Sequence, residues 1–254
     1  KHIGRYPCVV IAPDDIQLIL GISEDRRKFI DTLLSQLDAA YLQHLIQYNK
    51  ILQQRNSFLK NYNDRFGSQD LSVLDILDEQ LAVEGNAIFK KRSEFLLKFL
   101  PEAKQLYNDI AKHYEPISLI YESELMANTM EELLQYNRQK DIIIQRTSSG
   151  IHRDDLVFNM GEQPFKSIAS QGQRKSLLFA LKLAEMDVIK MQKHLSPLLL
   201  LDDVFEKLDE ERISNLLIRV AADEDTQIFI TDTNGERLTR QLEKLHRPYQ
   251  LIEL

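Results

Sequence analysis

The feature that most constrains this chain is a run of four leucines, residues 198–201, followed directly by Asp202 and Asp203. A short apolar run bounded by turn residues is typical of a strand buried on both faces of a parallel sheet. The two carboxylates then lie at the carboxyl end of the strand, where open α/β sheets bind their ligands. In P-loop nucleotide hydrolases this strand carries the acid that holds Mg²⁺, and a neighbouring acid orients or deprotonates the attacking water. The alternative is a core strand that leads into a polar loop, and the strand alone does not decide between the two.

Composition limits the class of protein. The 254 residues suffice for one large domain or two modest ones, and 43% are hydrophobic, which supplies a sizeable core. The net charge of −7 argues against a protein that coats nucleic acid with its whole surface, without excluding a local basic face. A single cysteine, Cys8, excludes an internal disulfide framework and fits a reducing compartment. With no signal-peptide pattern and no long apolar run, we expect a cytoplasmic protein without a membrane span.

Helical periodicity dominates the region that follows Ser23. Apolar residues spaced three and four apart from Leu34 to Leu59 predict one long helix, similar to a coiled-coil arm. A second helical pattern runs from Leu71 to Phe99, with Gly85 as a weak point that can divide it. We expect the break at residues 66–68 to join the two as an antiparallel hairpin. Pro101 need not end the second pattern, since it can instead open a new helical segment at its first turn.

Strand and helix patterns alternate in the rest of the chain. We expect strands at residues 6–13, 115–123, 151–160, 198–201 and 227–231, and an edge strand at residues 249–254. We expect helices at residues 125–145, 209–220 and 236–245, and a further helix that begins after Ser170. The fold class is therefore α/β, with a mostly parallel sheet and an inserted all-helical arm. We assign residues 1–22 and 148–254 to the lobe that contains the sheet, and residues 23–147 to the arm.

A helix start that can bind an anion precedes the leucine strand. Ser170 and Gly172 would present a hydroxyl and unpaired backbone amides at this helix N-terminus, and Gly172 would let a phosphate oxygen approach the backbone. Taken alone, an ordinary helix N-cap is the better interpretation.

Four acidic or hydroxyl residues at or after the sheet edge are further candidates for the site. Asp202 suits Mg²⁺, which prefers one or two carboxylates together with phosphate oxygens and water, and Asp203 suits water activation. Thr231 ends the next strand, and if the two strands are neighbours its hydroxyl could sense a γ-phosphate. As an isolated residue, Asp209 is best interpreted as the N-cap of the following helix.

This order of motifs resembles the head of an ABC-type ATPase of the SMC kind. The amino-acid sequence of the motifs is more similar still to the RecF family of bacterial recombination proteins. The segments that carry the resemblance are residues 7–17, 26–31, 48–56, 152–156, 170–174 and 198–209. The resemblance covers essentially the whole chain, and the combination of segments is highly specific. It implies a partial ABC-type ATPase lobe with a helical arm.

The resemblance also implies roles for individual residues. Ser170, Gly172 and Gln173 would form the signature motif, which contacts the γ-phosphate of ATP bound to the opposite subunit of a homodimer. Asp202 and Asp203 would serve Mg²⁺ and hydrolysis. Asp209 would belong to the loop between subunits.

At the level of the whole protein, the resemblance implies ATP-dependent clamping on DNA and delivery to gaps or to junctions of single-stranded and double-stranded DNA. It further implies work with RecO and RecR mediators in loading recombinase during repair and replication restart.

Two departures from the family pattern stand out. The strand ends in Asp-Asp where ABC heads commonly have Asp-Glu, and Thr231-Asp232-Thr233 stands where they commonly have a His, so we expect slow hydrolysis. No Gly-x-x-x-x-Gly-Lys-[Ser/Thr] motif occurs, and none of the eight glycines is followed by Lys. The chain thus resembles a family member without its N-terminal P-loop segment. Without P-loop amides and Lys, we expect this polypeptide alone neither to bind ATP tightly nor to hydrolyse it.

Basic clusters are the candidates for DNA contact. They are Arg26, Arg27 and Lys28, then residues 90–92, then Arg174 and Lys175. Each could instead be a solvated helix face, which we favour for residues 90–92. DNA binding through these residues would use phosphates and depend strongly on salt. Residues 152–155, His-Arg-Asp-Asp, form a distinctive motif, but their spacing does not define a function. The alternative to a functional role is a structural one, in which these residues form an ion-pair network.

Two other functions compete with the RecF-like one. A different SMC-type head would serve chromosome maintenance, and its arm would continue as a long coiled coil. The two arm helices here are joined within a short stretch, which disfavours it. The remaining possibility is a helical interaction module without catalysis.

Overall fold

The computed structural model describes residues 7–62, 71–203, 205–223, 225–245 and 247–252. The strands among them are β1 (Cys8–Ile11), β2 (Ile117–Glu122), β3 (Asp155–Met160), β4 (Gln163–Pro164), β5 (Leu198–Asp202) and β6 (Ile228–Thr231). The helices are α1 (Gln17–Leu20), α2 (Ser23–Leu37), α3 (Ala39–Asn61), α4 (Ser72–Ala111), α5 (Met130–Ile144), α6 (Phe165–Ile168), α7 (Gln171–Lys193), α8 (Glu210–Ala221) and α9 (Gly235–Glu243). Short 3₁₀ turns cover Pro13–Ile16, Glu124–Met126 and Ile151–Arg153.

The chain forms two compact units. The sheet unit comprises Lys1–Ile22, Phe99–Leu119 and Phe158–Leu254, and the helical unit comprises Ser23–Lys98 and Ile120–Val157. The division expected from sequence shares the boundary after residue 22, but residues 99–119 belong to the sheet unit and residues 148–157 to the helical unit. Long-range polar contacts explain both differences. Asn215 donates a hydrogen bond to the Ile110 carbonyl within the sheet unit, and Arg92 is bonded to Asp154 within the helical unit.

Two small sheets order the strands. The first has the order β1-β5-β6, and both of its pairings are parallel. The second has the order β2-β3-β4, with β3 and β4 antiparallel. The prediction of an α/β fold with a parallel sheet is confirmed, and the leucine strand β5 is its central strand among the described residues.

The expectation that the leucine strand is buried on both faces is wrong. Leu199 and Leu201 are buried, but Leu198 is 38% exposed. Because side chains alternate along a strand, Leu198 and Leu200 lie on the other face. On that face, Val10 of β1 and Phe229 of β6 both align with Leu200 and are also exposed. Within the described part of the sheet unit, α7 packs against β1 and the covered face forms the core.

The core of the sheet unit is built largely on α7. This helix is apolar on most of its circumference, and 12 of its 23 residues are buried. Such a helix lies inside a unit rather than on its surface. Phe179 on α7 stacks against Phe205, with ring centroids 6.5 Å apart. Phe205 follows the acidic end of β5, so the same packing anchors the loop that leaves the strand.

The first long helix predicted from sequence is two helices. Residues 34–59 do not form one helix, because α2 ends at Leu37 and α3 starts at Ala39. Asp38 between them has extended backbone angles, and its carboxylate accepts hydrogen bonds from the amides of Ala40 and Tyr41. An aspartate in this position caps a helix start. The apolar periodicity continues across the break, which is why the pattern concealed it.

The second long helix is continuous, contrary to the expected division. α4 passes through both Gly85 and Pro101 without interruption, so Gly85 does not divide it. The prediction that Pro101 need not end the helix is confirmed, although Pro101 opens no separate segment. A Cβ atom at Gly85 would lie 3.1 Å from Met130 Cγ and 3.3 Å from the Tyr48 ring. Glycine therefore serves close packing here, and its low helix propensity is offset by the tertiary contacts.

The expected antiparallel arrangement of the two arm helices is confirmed. Near one end of the pair, Arg92 on α4 donates to Tyr41 on α3 over 3.1 Å. Near the other end, Arg55 on α3 is paired with Asp78 on α4 at 2.6 Å. The connecting break at residues 66–68 lies outside the described residues.

The chain ends match the sequence predictions only in part. β1 begins at Cys8, and residue 6 lies outside the described part of the chain. The expected edge strand at residues 249–254 is absent from residues 249–252, and the last two residues are not described. None of the described helices is both long enough and apolar enough to cross a membrane.

Candidate functional site

The carboxyl edge of the parallel sheet brings Asp202 and Thr231 together. The two residues are register partners at the ends of β5 and β6. Thr231 Oγ1 donates a hydrogen bond to Asp202 Oδ1 over 2.6 Å. Both side chains are exposed, so the pair lies where a ligand can reach it. The condition set by the sequence analysis, that these strands are neighbours, is met.

Asp203 follows in an uncommon backbone conformation. Its φ of 45° is in the left-handed region, which aspartate tolerates better than most residues. The Asp203 amide donates to the Thr231 carbonyl over 3.1 Å and lies 3.2 Å from Thr231 Oγ1. The Thr231 hydroxyl therefore donates to one acid and accepts from the amide of the next. This arrangement fixes the Asp202 carboxylate and the backbone of Asp203 at the sheet edge.

A buried carboxylate shapes the turn after β6. The Asp232 side chain is fully buried and is paired with Arg237 on α9 at 2.8 Å. Asp232 Oδ1 also accepts a hydrogen bond from the Asn234 amide over 2.7 Å. The sequence analysis assigned no role to Asp232 or Arg237. The sequence feature that could have indicated this turn is an aspartate two residues before the asparagine that caps α9, which is a common turn pattern.

The helix start at Ser170 is a capping box. Ser170 Oγ accepts from the Gln173 amide over 3.2 Å, and Gln173 Oε1 accepts from the Ser170 amide over 2.8 Å. In geometry the N-cap interpretation is thus confirmed. The first amides inside the helix, those of Gln171 and Gly172, have no partner within the helix itself. Ser170 is exposed, so this end of α7 is open to an anion, as its candidate role requires.

The loop after β5 lies beside this helix start. A Cβ atom at Gly172 would lie 3.4 Å from the Lys207 carbonyl oxygen. Two residues further, Asp209 caps α8, and its carboxylate accepts from the Arg212 amide over 2.8 Å. The cap interpretation of Asp209 is confirmed. The fold therefore places the proposed signature and the proposed intersubunit loop next to each other within the sheet unit.

Two candidate DNA-binding residues on α7 bond to carbonyls of the sheet unit. Arg174 donates to the Lys166 carbonyl over 2.8 Å, and Lys175 donates to the carbonyl of Glu206. Partial burial lowers the pKa of Lys175, because burial penalises its charged form, although the nearby carboxylate of Glu206 opposes the shift. Lys175 thus also ties α7 to the loop after β5, and its DNA-binding role stays a prediction.

The basic cluster on α2 contains one buried residue. Arg26 is 7% exposed and holds Asp155 through two hydrogen bonds of 2.7 and 2.9 Å. Arg27 donates to the Asp154 carbonyl over 2.6 Å, whereas Lys28 is exposed. The guanidinium of Arg26 is therefore engaged within the helical unit. A DNA contact by this cluster stays a prediction, with Lys28 the residue best exposed for it.

Residues 90–92 include the centre of a buried ion-pair network. Arg92 is 1% exposed and bonds Asp31 at 2.8 Å and Asp154 at 2.9 Å. The interpretation of these residues as a solvated face is wrong for Arg92, although Lys90 and Lys91 are exposed. The network interpretation of residues 152–155 is confirmed for Asp154 and Asp155. Burial raises the pKa of Asp154, and the charge of Arg92 opposes that shift.

A third buried arginine, Arg55, was not predicted to be buried from the sequence. Arg55 is fully buried and bonds Asp78 at 2.6 Å and Asp141 at 2.7 Å. The same guanidinium donates to Thr147 over 2.9 Å. Spacing along the sequence gave no signal, because the acids lie 23 and 86 residues away from Arg55. These contacts join α3, α4 and α5 around a polar core.

The acidic edge fits Mg²⁺ and a nucleotide phosphate. Asp202 is exposed and Asp203 is partly exposed, which gives the one or two carboxylates that Mg²⁺ prefers beside phosphate oxygens and water. No group of three or more His, Cys, Asp or Glu side chains placed to hold a metal occurs among the residues that the structure describes. The donors therefore suit a metal that arrives with a phosphate better than a metal held by protein ligands alone.

Curated relatives resemble the chain over its whole length, although no family model matches it. The DNA replication and repair protein RecF of Flavobacterium johnsoniae is 44% identical over 255 residues, which covers 100% of this chain and 70% of that protein. The protein of the same name from Porphyromonas gingivalis strain ATCC 33277 is 41% identical over 254 residues, or 100% of this chain and 68% of that protein.

Solved structures agree with this result. A structure described as the recombination mediator protein RecF-ATPrS in the RecFOR pathway superimposes with a TM-score of 0.79 at 29% identity. The matched region is 92% of this chain and 64% of that chain. A second structure, described as RecF-ATP in the same pathway, matches with the same TM-score at 28% identity. This chain therefore spans less than two thirds of those solved chains.

The fold defines the class as an α/β protein with a partial ABC-type ATPase lobe, and two acids lie at the carboxyl edge of its parallel sheet. Identity of 44% to a curated relative, over 100% of this chain and 70% of that protein, then specifies the family. The chain belongs to the RecF family of DNA replication and repair proteins.

Proposed function

We propose that this protein is an ABC-type ATPase of DNA repair, recombination and replication restart. It binds DNA and ATP, forms a homodimer in an ATP-dependent manner, and assists the loading of recombinase at single-strand gaps together with RecO-type and RecR-type mediators. The names of its relatives and structural neighbours support the repair and recombination part of this proposal. The single observation that carries the catalytic part is the Asp202, Asp203 and Thr231 arrangement at the sheet edge.

The acidic edge has two tasks in this proposal. Asp202 binds Mg²⁺, and Asp203 orients or deprotonates the attacking water. When bound, ATP would supply the electrophilic γ-phosphate, and Mg²⁺ held by Asp202 would offset its negative charge. Thr231 keeps the Asp202 carboxylate in one orientation through its 2.6 Å hydrogen bond. To sense the γ-phosphate, the Thr231 hydroxyl must turn its single proton from Asp202 to a phosphate oxygen, because phosphate oxygens only accept hydrogen bonds.

The signature residues serve the nucleotide of the opposite subunit. Ser170, Gly172 and Gln173 lie at an exposed helix N-terminus, where backbone amides and the helix dipole favour an anion. Asp209 lies in the neighbouring loop and reaches across the same interface. The 254 residues contain no P-loop motif, so the loop that cradles the phosphates is not supplied by these residues.

DNA binding is expected to act through phosphates. Arg27, Lys28, Arg174 and Lys175 are the candidate contacts that are at least partly exposed, whereas Arg26 is engaged in an ion pair with Asp155. Contacts of this kind release counterions, so affinity falls steeply as salt rises. The net charge of −7 confines the binding face to local basic patches.

The test is DNA-stimulated ATP hydrolysis by the protein produced from its complete gene. We expect stimulation by gapped DNA and a loss of about 100-fold or more in Asp203→Asn, the range for a group that moves a proton in the transition state. Glu206→Gln is the matched control, because Glu206 is an exposed acid three residues away on the same loop. The absence of DNA-stimulated hydrolysis would favour a helical interaction module without catalysis, and hydrolysis unaffected by Asp203→Asn would contradict the catalytic role of Asp203.

A further inference from the structure

We propose that Arg212 is a positioning residue that holds the Asp209 cap and the first turn of α7 as one piece. The two elements that face the opposite subunit's nucleotide then move together. This inference rests on the proposed function, because the signature and Asp209 act across a dimer interface only if that function holds. It assigns a task to a residue outside the sequence motifs.

The guanidinium of Arg212 reaches three separate parts of the sheet unit. Its Nε lies 3.3 Å from Asp209 Oδ2, and its backbone amide bonds the other oxygen of the same carboxylate. Its Nη1 donates to Ser176 Oγ on α7 over 2.9 Å. Its Nη2 bonds Glu115 Oε1 at 2.5 Å, just before β2. One side chain thus joins the α8 cap, the signature helix and a segment far away in sequence.

Ser176 extends this connection to the signature itself. Its hydroxyl accepts from Arg212 and donates to the Gly172 carbonyl over 2.9 Å. Ser176 is fully buried, so its hydroxyl is sensitive to the loss of a partner. Through two hydrogen bonds, Arg212 therefore determines where the first turn of α7 lies relative to Asp209.

Burial makes this set of contacts more than a surface ion pair. The side chains of Arg212 and Glu115 are only 11% and 12% exposed. Glu115 also accepts a hydrogen bond from Tyr107 near the end of α4. The carboxylate of Glu115 contributes to raising the pKa of Arg212 against the effect of burial. A lysine could not replace the three-way fork, because an ammonium is a single point of contact.

A neighbouring ion pair on the same helices provides the matched control. Arg219 lies seven residues after Arg212 on α8 and pairs with Asp187 on α7 at 2.6 Å. This pair also joins α8 to α7, but Asp187 lies 15 residues beyond Gly172, four turns along the helix. If Arg212 only strengthened helix packing, Arg219→Gln would have a similar effect on activity.

The experiment mixes variants of the protein produced from its complete gene. Arg212→Gln alone is expected to lower DNA-stimulated ATPase activity by about tenfold or more. This factor corresponds to the loss of one or two hydrogen bonds that involve a charged group. Arg212→Gln is then mixed with an equal amount of Asp202→Asn. In each mixed dimer, one composite site combines the intact acidic edge of the Arg212→Gln subunit with the intact signature of the Asp202→Asn subunit, and the other site is defective. Half of randomly formed dimers are mixed, so about a quarter of wild-type activity should return.

A reference mixture tests the composite site of the proposed function separately from the positioning role of Arg212. Ser170→Arg mixed with Asp202→Asn should restore activity in the same way, because Ser170 belongs to the signature. If the reference mixture fails, the composite site of the proposed function is overturned. If it succeeds while the Arg212→Gln mixture does not, the positioning role of Arg212 is overturned.

A milder variant shows whether the loss of activity in Arg212→Gln could come from misfolding. Arg212→Gln leaves Glu115 without its charged partner, whereas Ser176→Ala keeps Arg212 paired with Glu115 and Asp209. Ser176→Ala should reduce activity less than Arg212→Gln and should be rescued equally by Asp202→Asn. Wild-type activity in Ser176→Ala, or a loss in Arg219→Gln as large as in Arg212→Gln, would contradict the proposal.

Discussion

Two groups of aspartates in this molecule have opposite surroundings. In the helical unit, Asp154 is 2% exposed and is held by Arg92 at 2.9 Å and by the Tyr121 hydroxyl at 2.6 Å. In the sheet unit, Asp202 and Asp203 stand at the open end of a parallel strand, without an arginine or lysine bonded to either carboxylate among the described residues. The residue type is the same, and its surroundings determine the task.

The difference separates stability from chemistry. A buried carboxylate paired with a buried arginine is costly to disturb, because removing one partner leaves an uncompensated charge. An exposed carboxylate at a strand end contributes little to folding and remains available to a metal or a water molecule. Substitutions in the first group should therefore change the free energy of unfolding, and substitutions in the second should change activity.

The largest effect is expected for Arg92→Met. The substitution leaves Asp31 and Asp154 without their shared cation and should lower the free energy of unfolding by about 3–5 kcal/mol. Urea denaturation followed by circular dichroism measures the change. Lys90→Met is the control, since Lys90 is exposed two residues earlier on the same helix and should stay within about 0.5 kcal/mol of wild type. A cost below about 1 kcal/mol for Arg92→Met would break the distinction between the two groups.

A smaller effect, confined to activity, is expected for Thr231→Val. Valine keeps the shape of threonine and removes the hydroxyl that donates to Asp202. The loss of one hydrogen bond to a charged group should raise the Mg²⁺ concentration needed for half-maximal ATPase activity by about tenfold. Thr231→Ser keeps the hydroxyl and should behave like wild type. An unchanged Mg²⁺ requirement in Thr231→Val would show that the hydrogen bond does not position Asp202.

The smallest effect concerns pH and the polar core of the helical unit. Burial lowers the pKa of His152 from 6.5 to about 4, and Tyr48 bonds its Nδ1 at 2.8 Å. Above pH 6.5 the imidazole is neutral in both states, so it adds no pH dependence there. As pH falls below 6.5, the unfolded chain binds a proton that the folded protein binds only near pH 4, and stability decreases.

His152→Gln isolates this contribution. Between pH 7 and pH 5.5 wild type should lose about 1 kcal/mol more stability than the variant, because other titrating groups are common to both. The measurement is urea denaturation at the two pH values. Equal losses in the two proteins would mean that His152 is already accessible to protons in the folded state.

The sequence predicted the sheet edge better than the helical unit. Residues 198–203 combine a local apolar run with local acids, and the helix caps at Ser170 and Asp209 are local as well. Signals of this kind lie within a few neighbouring residues and can be recognised without tertiary structure. The register of Asp202 with Thr231 followed from the parallel pairing of two such strands.

The polar core of the helical unit could not be predicted in the same way. Arg92 is 61 residues from Asp31 and 62 from Asp154, and nothing local distinguishes it from the exposed Lys90 and Lys91. Arg26 was similarly grouped with Arg27 and Lys28 because all three are basic. Which member of a basic cluster is buried depends on partners brought by the fold, and one sequence does not reveal them.

Helix ends show the same limit. The break at Asp38 has a local cap signal, but the apolar periodicity on both sides obscured it. Gly85 has a local signal for a break, yet packing against Met130 and Tyr48 keeps α4 continuous. At Asp38 a local cap breaks the helix although the periodicity continues, and at Gly85 tertiary contacts keep the helix continuous against the local propensity.

The most direct test of the central claim compares the same substitution in the two groups, Asp154→Asn and Asp203→Asn. Both variants of the protein produced from its complete gene are assayed for unfolding free energy and for DNA-stimulated ATPase activity per folded molecule. We predict that Asp154→Asn lowers stability by about 3–5 kcal/mol with activity nearly unchanged. Asp203→Asn should reduce activity by about 100-fold or more with stability nearly unchanged. The reverse pattern, or equal effects of both substitutions on both quantities, would contradict the assignment of the exposed edge to catalysis.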